Sequence, residues 1–131
     1  GIGGDDGLFS GTSSQINNVL NTNLLGVTNS LMPFIPKMKE QKNGTLVCIS
    51  SVASYVPLPF HGGYASSKIA IRMIFDSWRP SLEKYSIRII RSGKNTYVYP
   101  RYYLLLIFLI RILPERIFNF IMKKMFHRPI N

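Results

Sequence analysis

Apolar residues at helical spacing fill the first part of the chain. Between Ser14 and Met38 they recur every three or four positions, which predicts an amphipathic helix with a serine at its N-terminal cap. Asn23 lies on the polar side of this stripe. Pro33 and Pro36 predict a kink or an end, because proline removes a helical hydrogen bond. The apolar stripe consists of Ile16, Val19, Leu20, Leu24, Val27, Leu31 and Ile35.

A strand, a helix and a second strand follow in that order. Thr45–Ile49 is a short apolar run typical of a buried strand, and Ser86–Arg91 is rich in β-branched residues. Between them Tyr64–Lys84 has the helical period, with Pro80 bending this helix or marking a new start. A unit of this kind is right-handed, so the two strands should be parallel neighbours. The buried side of the helix is predicted to carry Ala65, Ile69, Met73, Ile74 and Trp78.

The pattern changes after Arg91, so we divide the chain into residues 1–91 and a C-terminal segment, residues 92–131. Tyr102–Leu113 is nearly all apolar, but its about twelve residues are too few for a membrane span of roughly 20. Pro114–Phe126 predicts an amphipathic helix. Two interpretations stay open: helices that pack on the fold or on a second subunit, or a basic amphipathic hairpin on a membrane surface. The apolar face would carry Ile117, Phe118, Ile121, Met122 and Met125, and the basic face Arg116, Lys123 and Lys124.

Length and charge narrow the choice of partners. The chain has 131 residues, 46% of them hydrophobic, which suffices for one domain but is small for a complete dinucleotide-binding enzyme. Its net charge of +10 is concentrated towards the end, where Glu115 is the only acid after Tyr85. Such a segment suits an anionic membrane or an acidic partner, and because no nucleic-acid motif accompanies it we expect no nucleic-acid binding. The cations after Tyr85 are Arg88, Arg91, Lys94, Arg101, Arg111, Arg116, Lys123, Lys124 and Arg128.

The remaining composition argues against several kinds of site. The chain has one cysteine, Cys48, so a disulfide within these residues is excluded. Because Cys48 lies inside the first predicted strand, it is interpreted as a small core residue. His61 and His127 stand alone, and no metal-ligand spacing occurs. No secretory signal is predicted. We therefore expect a cytoplasmic protein, associated with a membrane if the basic helices lie on one.

Three chemical groups are expected to meet after the first strand. Ser50 and Ser51 follow the strand at its carboxyl end, where parallel sheets bind ligands. Tyr64 and Lys68 are four residues apart and share a helical face. A hydroxyl, a phenol and an ammonium form a proton-transfer site for a carbonyl or an alcohol. Taken singly, a serine pair is more often a turn or a helix cap, and one Tyr-x-x-x-Lys is a weak motif; their conjunction favours the site.

With these residues the sequence resembles the short-chain dehydrogenase/reductase (SDR) family, from Gly1 to about Ile90. The family's glycine-rich dinucleotide turn does not occur in these 131 residues, nor does its Pro-Gly after the second strand. The matching residues are Ser51, Tyr64 and Lys68, the stretch Asn21-Thr-Asn23-Leu-Leu-Gly26 for the Asn-x-x-Gly segment, and Gly1-Ile2 for the end of the Asn-Asn-Ala-Gly motif.

The resemblance implies an α/β fold, the second half of a doubly wound, Rossmann-like parallel sheet with a helical C-terminal tail. It also implies hydride transfer between NAD or NADP and a small-molecule alcohol or ketone. Tyr64 would be the acid/base, Ser51 would position the carbonyl oxygen, and Lys68 would activate Tyr64 and hold the nicotinamide ribose together with it. Asn23 would support the proton relay, and Gly1 would lie at the cofactor.

A second interpretation, in which the protein is not an enzyme, stays open as well. The chain would then be a non-catalytic remnant or a membrane-surface interaction protein that has the core without the cofactor site. Because the pyrophosphate needs a glycine turn at a helix N-terminus, we also expect the 131 residues by themselves to be inactive. Two parallel strands would leave an edge uncovered, which favours association.

Overall fold

A strand–helix–strand unit forms the centre of the fold, preceded by a long helical stretch and followed by two short helices. A computed structural model describes residues 1–4, 6, 12–91 and 102–125. The strands are β1 (Gly44–Cys48) and β2 (Ile87–Arg91), and the helices are α1 (Ser14–Leu20), α2 (Gly26–Leu31), α3 (Ile35–Gln41), α4 (Gly62–Glu83), α5 (Tyr102–Ile112) and α6 (Glu115–Met125). Residues 92–101, where the sequence lacks the expected Pro-Gly closure, and residues 126–131, with His127, lie outside the described residues.

The helical stretch before β1 changes pitch twice. A wide π turn at Asn21–Leu25 separates α1 from α2, and a tight 3₁₀ turn at Met32–Phe34 separates α2 from α3. The interruption near the two prolines was predicted. Pro33 and Pro36 each stand at the start of a helical segment, where the missing N–H is not needed. The π turn was not predicted, and it contains Asn23.

The two strands are parallel neighbours, as the crossover predicts. Gly44 pairs with Ile87, and Cys48 pairs with Arg91. One face of this sheet is covered by α4, whose Phe75 stacks on Trp78 with ring centroids 5.7 Å apart. The predicted α/β fold is therefore confirmed. The core consists of Ile35, Leu46, Cys48, Ile71, Phe75, Leu82 and Ile87.

The buried side of α4 differs from the predicted one. Ile69 and Met73 are 42% and 57% exposed, whereas Ile71 and Phe75 are 3% and 1% exposed. Apolar residues occur on both sides of this helix, so its period alone fits either side. The contact of α4 with both strands decides which side is buried. The other predicted members are buried or half-buried: Ala65, Ile74 and Trp78.

Burial varies across the predicted apolar face of α6. Met122 is buried and Phe118 is half-buried, whereas Ile117 and Ile121 are exposed, together with Phe120. The helix therefore presents apolar residues both to the protein and to solvent.

The second face of the sheet is open. Val47, Ile49 and Ile90 are exposed, because side chains alternate between the two faces and the helices of the central unit lie on the other one. Parallel sheets are normally covered on both faces. Among the described residues this face therefore lacks the second layer of such a sheet.

The choice of buried side on α4 can be tested with two isoleucines. We predict that Ile71→Ala lowers the free energy of unfolding by about 2–5 kcal/mol, because it leaves a cavity in the core. Ile69→Ala, two residues away, should lower it by less than about 1 kcal/mol. Urea unfolding followed by the fluorescence of Trp78, the one tryptophan, measures both. Equal losses, or a larger loss for Ile69→Ala, would contradict the observed packing.

Candidate functional site

The first two turns of α4 carry a phenol and an ammonium. Tyr64 and Lys68 are four residues apart, so their side chains project from one face. The Nζ atom of Lys68 lies 5.7 Å from the centroid of the Tyr64 ring and donates a hydrogen bond of 3.3 Å to the backbone carbonyl of Ile49. Both side chains are half-buried. The ammonium thus contacts the candidate acid–base group and the carboxyl end of β1 at once.

Asn23 links the start of the chain to α4. Its Oδ1 accepts a hydrogen bond of 2.7 Å from the amide of Ile2. Its Nδ2 donates to the carbonyl of Ile2 at 2.7 Å and to the hydroxyl of Ser67 at 3.2 Å, and Ser67 donates to the carbonyl of Tyr64 at 2.7 Å. The side chain is 1% exposed. Asn23 is therefore buried, although it lies on the polar side of the apolar stripe along this helical stretch.

Gly1 lies directly against this network. A Cβ atom at Gly1 would be 2.6 Å from Oδ1 of Asn23 and 3.3 Å from Nζ of Lys68. A side chain here would displace one of these groups, so the close approach requires glycine. The structure thus brings four of the five predicted site residues together: Gly1, Asn23, Tyr64 and Lys68.

The fifth, Ser51, is held by the turn that follows β1. Its hydroxyl oxygen accepts a hydrogen bond of 3.2 Å from the amide of Ala53 and caps the short 3₁₀ turn Val52–Ser54. The neighbouring hydroxyl of Ser50 donates to the carbonyl of Lys68 at 3.2 Å, which attaches this loop to α4. Among the described residues no hydrogen bond joins Ser51 to Tyr64. Ser51 thus has the capping role, and its O–H can still donate to another oxygen.

Asp6 is a positioning residue that the sequence analysis missed. Its carboxylate accepts hydrogen bonds from the amide of Gly62 and, at 2.8 Å, from that of Gly63. Its own amide donates to the carbonyl of Phe60 at 2.9 Å. Phe60 has a φ of 61°, which is unfavourable for an aromatic residue, so this contact helps to fix the loop.

The signal for Asp6 was present in the sequence. A helix that begins with two glycines exposes backbone amides that a carboxylate can cap, and negative charge is stabilising at a helix N-terminus. Three acids precede α4 in the sequence: Asp5, Asp6 and Glu40. Which carboxylate reaches α4 depends on a contact across 56 residues, which no local pattern specifies.

The arrangement is suited to moving a proton. A phenol can exchange a proton with an alcohol or carbonyl oxygen, and the Lys68 ammonium lies beside its ring. Within the described part of the chain no three His, Cys, Asp or Glu residues are grouped so that they could hold a metal ion. The described side chains at this face of α4 thus offer two proton-bearing groups to a substrate oxygen.

Comparison with known proteins identifies the relatives of this chain. The family model for short chain dehydrogenase matches residues 1–92. The chain is 28% identical over 89 residues to 3-ketodihydrosphingosine reductase of Bacteroides thetaiotaomicron, an alignment that covers 68% of this chain and 32% of that protein. It is 32% identical over 71 residues to 17-beta-hydroxysteroid dehydrogenase type 1 of Mus musculus, covering 54% of this chain and 21% of that one.

A solved structure has the same fold. The crystal structure of LigO in its apo form, from Sphingobium sp. strain SYK-6, superposes with a TM-score of 0.63 at 24% identity and covers 91% of this chain and 47% of that one. The matched part of this chain spans 32% and 21% of the length of the two curated relatives named above. The described fold is thus a portion of the architecture found in these proteins.

The hydrogen bonds of Asn23 provide a test of the site's framework. We predict that Asn23→Asp lowers the free energy of unfolding by about 2–3 kcal/mol, because it removes two buried donors and turns a carboxylate towards the carbonyl of Ile2. Hydrogen exchange at the amide of Ile2 should accelerate in parallel. Urea unfolding and exchange measured by NMR give the two values.

Asn29 provides the matched control, because it is an exposed asparagine of α2. Asn29→Asp should change the free energy of unfolding by no more than about 0.5 kcal/mol and leave the Ile2 amide as it is. If Asn23→Asp behaves in the same way, the described network does not hold Ile2 in solution.

Proposed function

Since the chain belongs to the short-chain dehydrogenase family, we propose that it carries the acid–base site of an oxidoreductase that interconverts an alcohol and a ketone. The observation that supports this most directly is the contact of Lys68 with both the Tyr64 ring and the carbonyl of Ile49. The two curated relatives named above agree with this class of substrate, since one is named for a ketone and the other for an alcohol. A cytoplasmic location is part of the proposal.

In this proposal Tyr64 is the group that moves the proton. During reduction its phenol donates a proton to the carbonyl oxygen, and during oxidation its phenolate accepts the proton of the alcohol. The ammonium of Lys68 stabilises the phenolate that remains after the proton is donated. Because both side chains are half-buried, a substrate oxygen can approach them from the solvent side.

Ser51 is proposed to orient the substrate oxygen. Its oxygen is occupied by the amide of Ala53, which fixes where the hydroxyl lies. Its O–H can then donate to a carbonyl oxygen that is held beside the phenol. The capping role and the catalytic role are therefore compatible, because they use different parts of one hydroxyl group.

Asn23 is proposed to support proton transfer by holding the framework in place. Both hydrogens of its amide are bonded, to Ile2 and Ser67, and its oxygen accepts from the Ile2 amide. Little capacity remains for the side chain to bind a water itself. The π turn around Asn23 changes the backbone hydrogen-bond pattern of the helix, and such turns are frequent at functional sites.

The family uses NAD or NADP, and the residues present fit one part of such a cofactor. Lys68 has three N–H donors, and one hydrogen bond of 3.3 Å uses a single one of them, so the others can bind the hydroxyls of the nicotinamide ribose together with the Tyr64 phenol. Gly1 lies beside Lys68 at this edge of the site. When bound, the cofactor would supply or accept the hydride.

The role of Tyr64 is testable in a longer chain of the relatives' length. We predict that Tyr64→Phe lowers kcat for ketone reduction by about 10²–10⁴-fold, because the proton donor is lost, while the Kd of the nicotinamide cofactor changes little. Steady-state kinetics and cofactor titration measure the two quantities. Full turnover by the variant would exclude Tyr64 from the mechanism.

Tyr85 is the matched control for this substitution. Its ring lies beyond the end of α4, beside the ammonium of Lys39 at 5.1 Å. Tyr85→Phe removes the same hydroxyl group and should leave kcat unchanged. A similar loss in both variants would indicate a general effect on stability.

We further predict that the 131 residues alone do not bind the cofactor. The hydrophobic sheet face of Val47, Ile49 and Ile90 is open, and the sequence offers no glycine-rich strand–turn–helix for the pyrophosphate. Isothermal titration of the purified chain with oxidised and reduced cofactors should show no saturable heat. Saturable binding at micromolar Kd would contradict this prediction and would mean that these residues form a cofactor site by themselves.

A further inference from the structure

The two C-terminal helices expose apolar stripes that no described element covers. On α5 the exposed apolar residues recur at intervals of three and four, which puts them on one side of the helix. Ile107, on the other side, is 8% exposed. On α6 the same division separates an exposed stripe from the buried Met122. The members of the two stripes are 38–68% exposed: Leu105, Phe108, Leu109 and Ile112 on α5, and Ile117, Phe120 and Ile121 on α6.

The charged residues on these helices are almost all cations. Arg111 and Arg116 are exposed, and within Tyr102–Met125 the sequence adds Lys123 and Lys124 against a single acid, Glu115. A helix that combines an apolar stripe with exposed cations has the composition of helices that lie in the interface of an anionic membrane.

We propose that α5 and α6 bind the surface of an anionic lipid bilayer, with their apolar stripes in the interface and their cations at the head groups. Charge complementarity distinguishes this partner from a second copy of the chain. A second copy would bring the same excess of Lys and Arg to the contact, so like charges would face each other. Anionic lipid supplies the opposite charge while the guanidinium groups stay hydrated.

The lengths of the helices agree with lying on a membrane rather than crossing it. Each contains 11 residues, which corresponds to roughly 16 Å of helix against a hydrocarbon core of about 30 Å. No helix in the described ranges is long and apolar enough to cross a bilayer. The two helices are joined by Leu113 and Pro114 alone, which keeps the stripes close together in the chain.

Vesicle binding of the full chain tests the charge part of the proposal. Vesicles of phosphatidylcholine with phosphatidylserine should bind at least about tenfold more protein than phosphatidylcholine alone, because each cation near an anionic surface contributes to affinity. Raising the salt from about 0.05 to 0.5 M should weaken this binding, since the Debye length shortens. Co-sedimentation measures both. Equal binding to both vesicles, salt-independent binding or no binding would overturn the proposal.

Charge reversal then locates the binding surface. The double variant Arg111→Glu, Arg116→Glu should bind anionic vesicles at least about tenfold more weakly. Lys84→Glu, Arg88→Glu makes the same change in net charge at two exposed positions outside α5 and α6, and it should bind like the original chain. If the control variant loses as much vesicle binding as the test variant, the binding depends on net charge and not on this surface, and the proposal fails.

Insertion of the apolar stripe is tested with two phenylalanines of equal exposure. Phe108 on α5 is 60% exposed and Phe34, at the start of α3, is 59% exposed. In Phe108→Trp the new indole should be quenched by lipids with brominated chains, whereas in Phe34→Trp it should not, with Trp78 as the common background. Equal quenching, or quenching of Phe34→Trp alone, would overturn the proposal.

Two other binding partners of α5 and α6 would give different experimental results. A second copy would produce a dimer in analytical ultracentrifugation that Phe108→Ser abolishes, without vesicle binding. An acidic protein would bind these helices while vesicles do not. Either result would replace the lipid surface as the partner.

Discussion

A buried amide side chain sets the geometry of the candidate site. Asn23 is removed from solvent, so each of its polar atoms must have a partner inside the protein. Ile2 supplies two of these partners and Ser67 the third. Leaving one of them unmade would cost about 1–3 kcal/mol, so burial of Asn23 and the position of Ile2 depend on each other. Gly1 lies beside Lys68 because this segment is held against α4.

The helix α4 contributes both to the hydrophobic core and to the candidate site. The side of α4 that contains Ile71 and Phe75 packs on the sheet, and its first two turns contain Tyr64 and Lys68. A helix moves as a unit, so the packing that fixes its axis also fixes the direction of both polar side chains. Asp6 provides a second attachment at the start of the helix. The phenol and the ammonium are therefore positioned by the core on one side and by a carboxylate cap on the other.

The sequence located the strands and the main helix of this fold but did not specify most of their contacts. An apolar run, a set of β-branched residues and the 3.6-residue period located β1, β2 and α4 to within two residues, because these signals are local properties of a chain. The helical period could not choose between Ile69 and Ile71, since both sides of α4 carry apolar residues. The burial of Asn23 rests on a contact across 21 residues and the cap of Asp6 on one across 56. Such contacts exist only once the sheet and the helices have assembled.

Two exposed apolar surfaces of this molecule suit different kinds of neighbour, and charge separates them. The open sheet face carries the exposed Val47, Ile49 and Ile90, with Arg88 as its one cation within β1 and β2, and parallel sheets normally bury such a face under a layer of protein. On α5 and α6 the apolar stripes lie among cations. A protein layer packed there would have to remove water from guanidinium groups, which is costly without paired acids. A lipid interface removes water from the apolar groups alone and leaves the cations hydrated. Similarly exposed apolar residues thus indicate different neighbours: a protein layer on the sheet face and a lipid interface on α5 and α6. The reason is that the free-energy cost of burying them depends on the charges beside them.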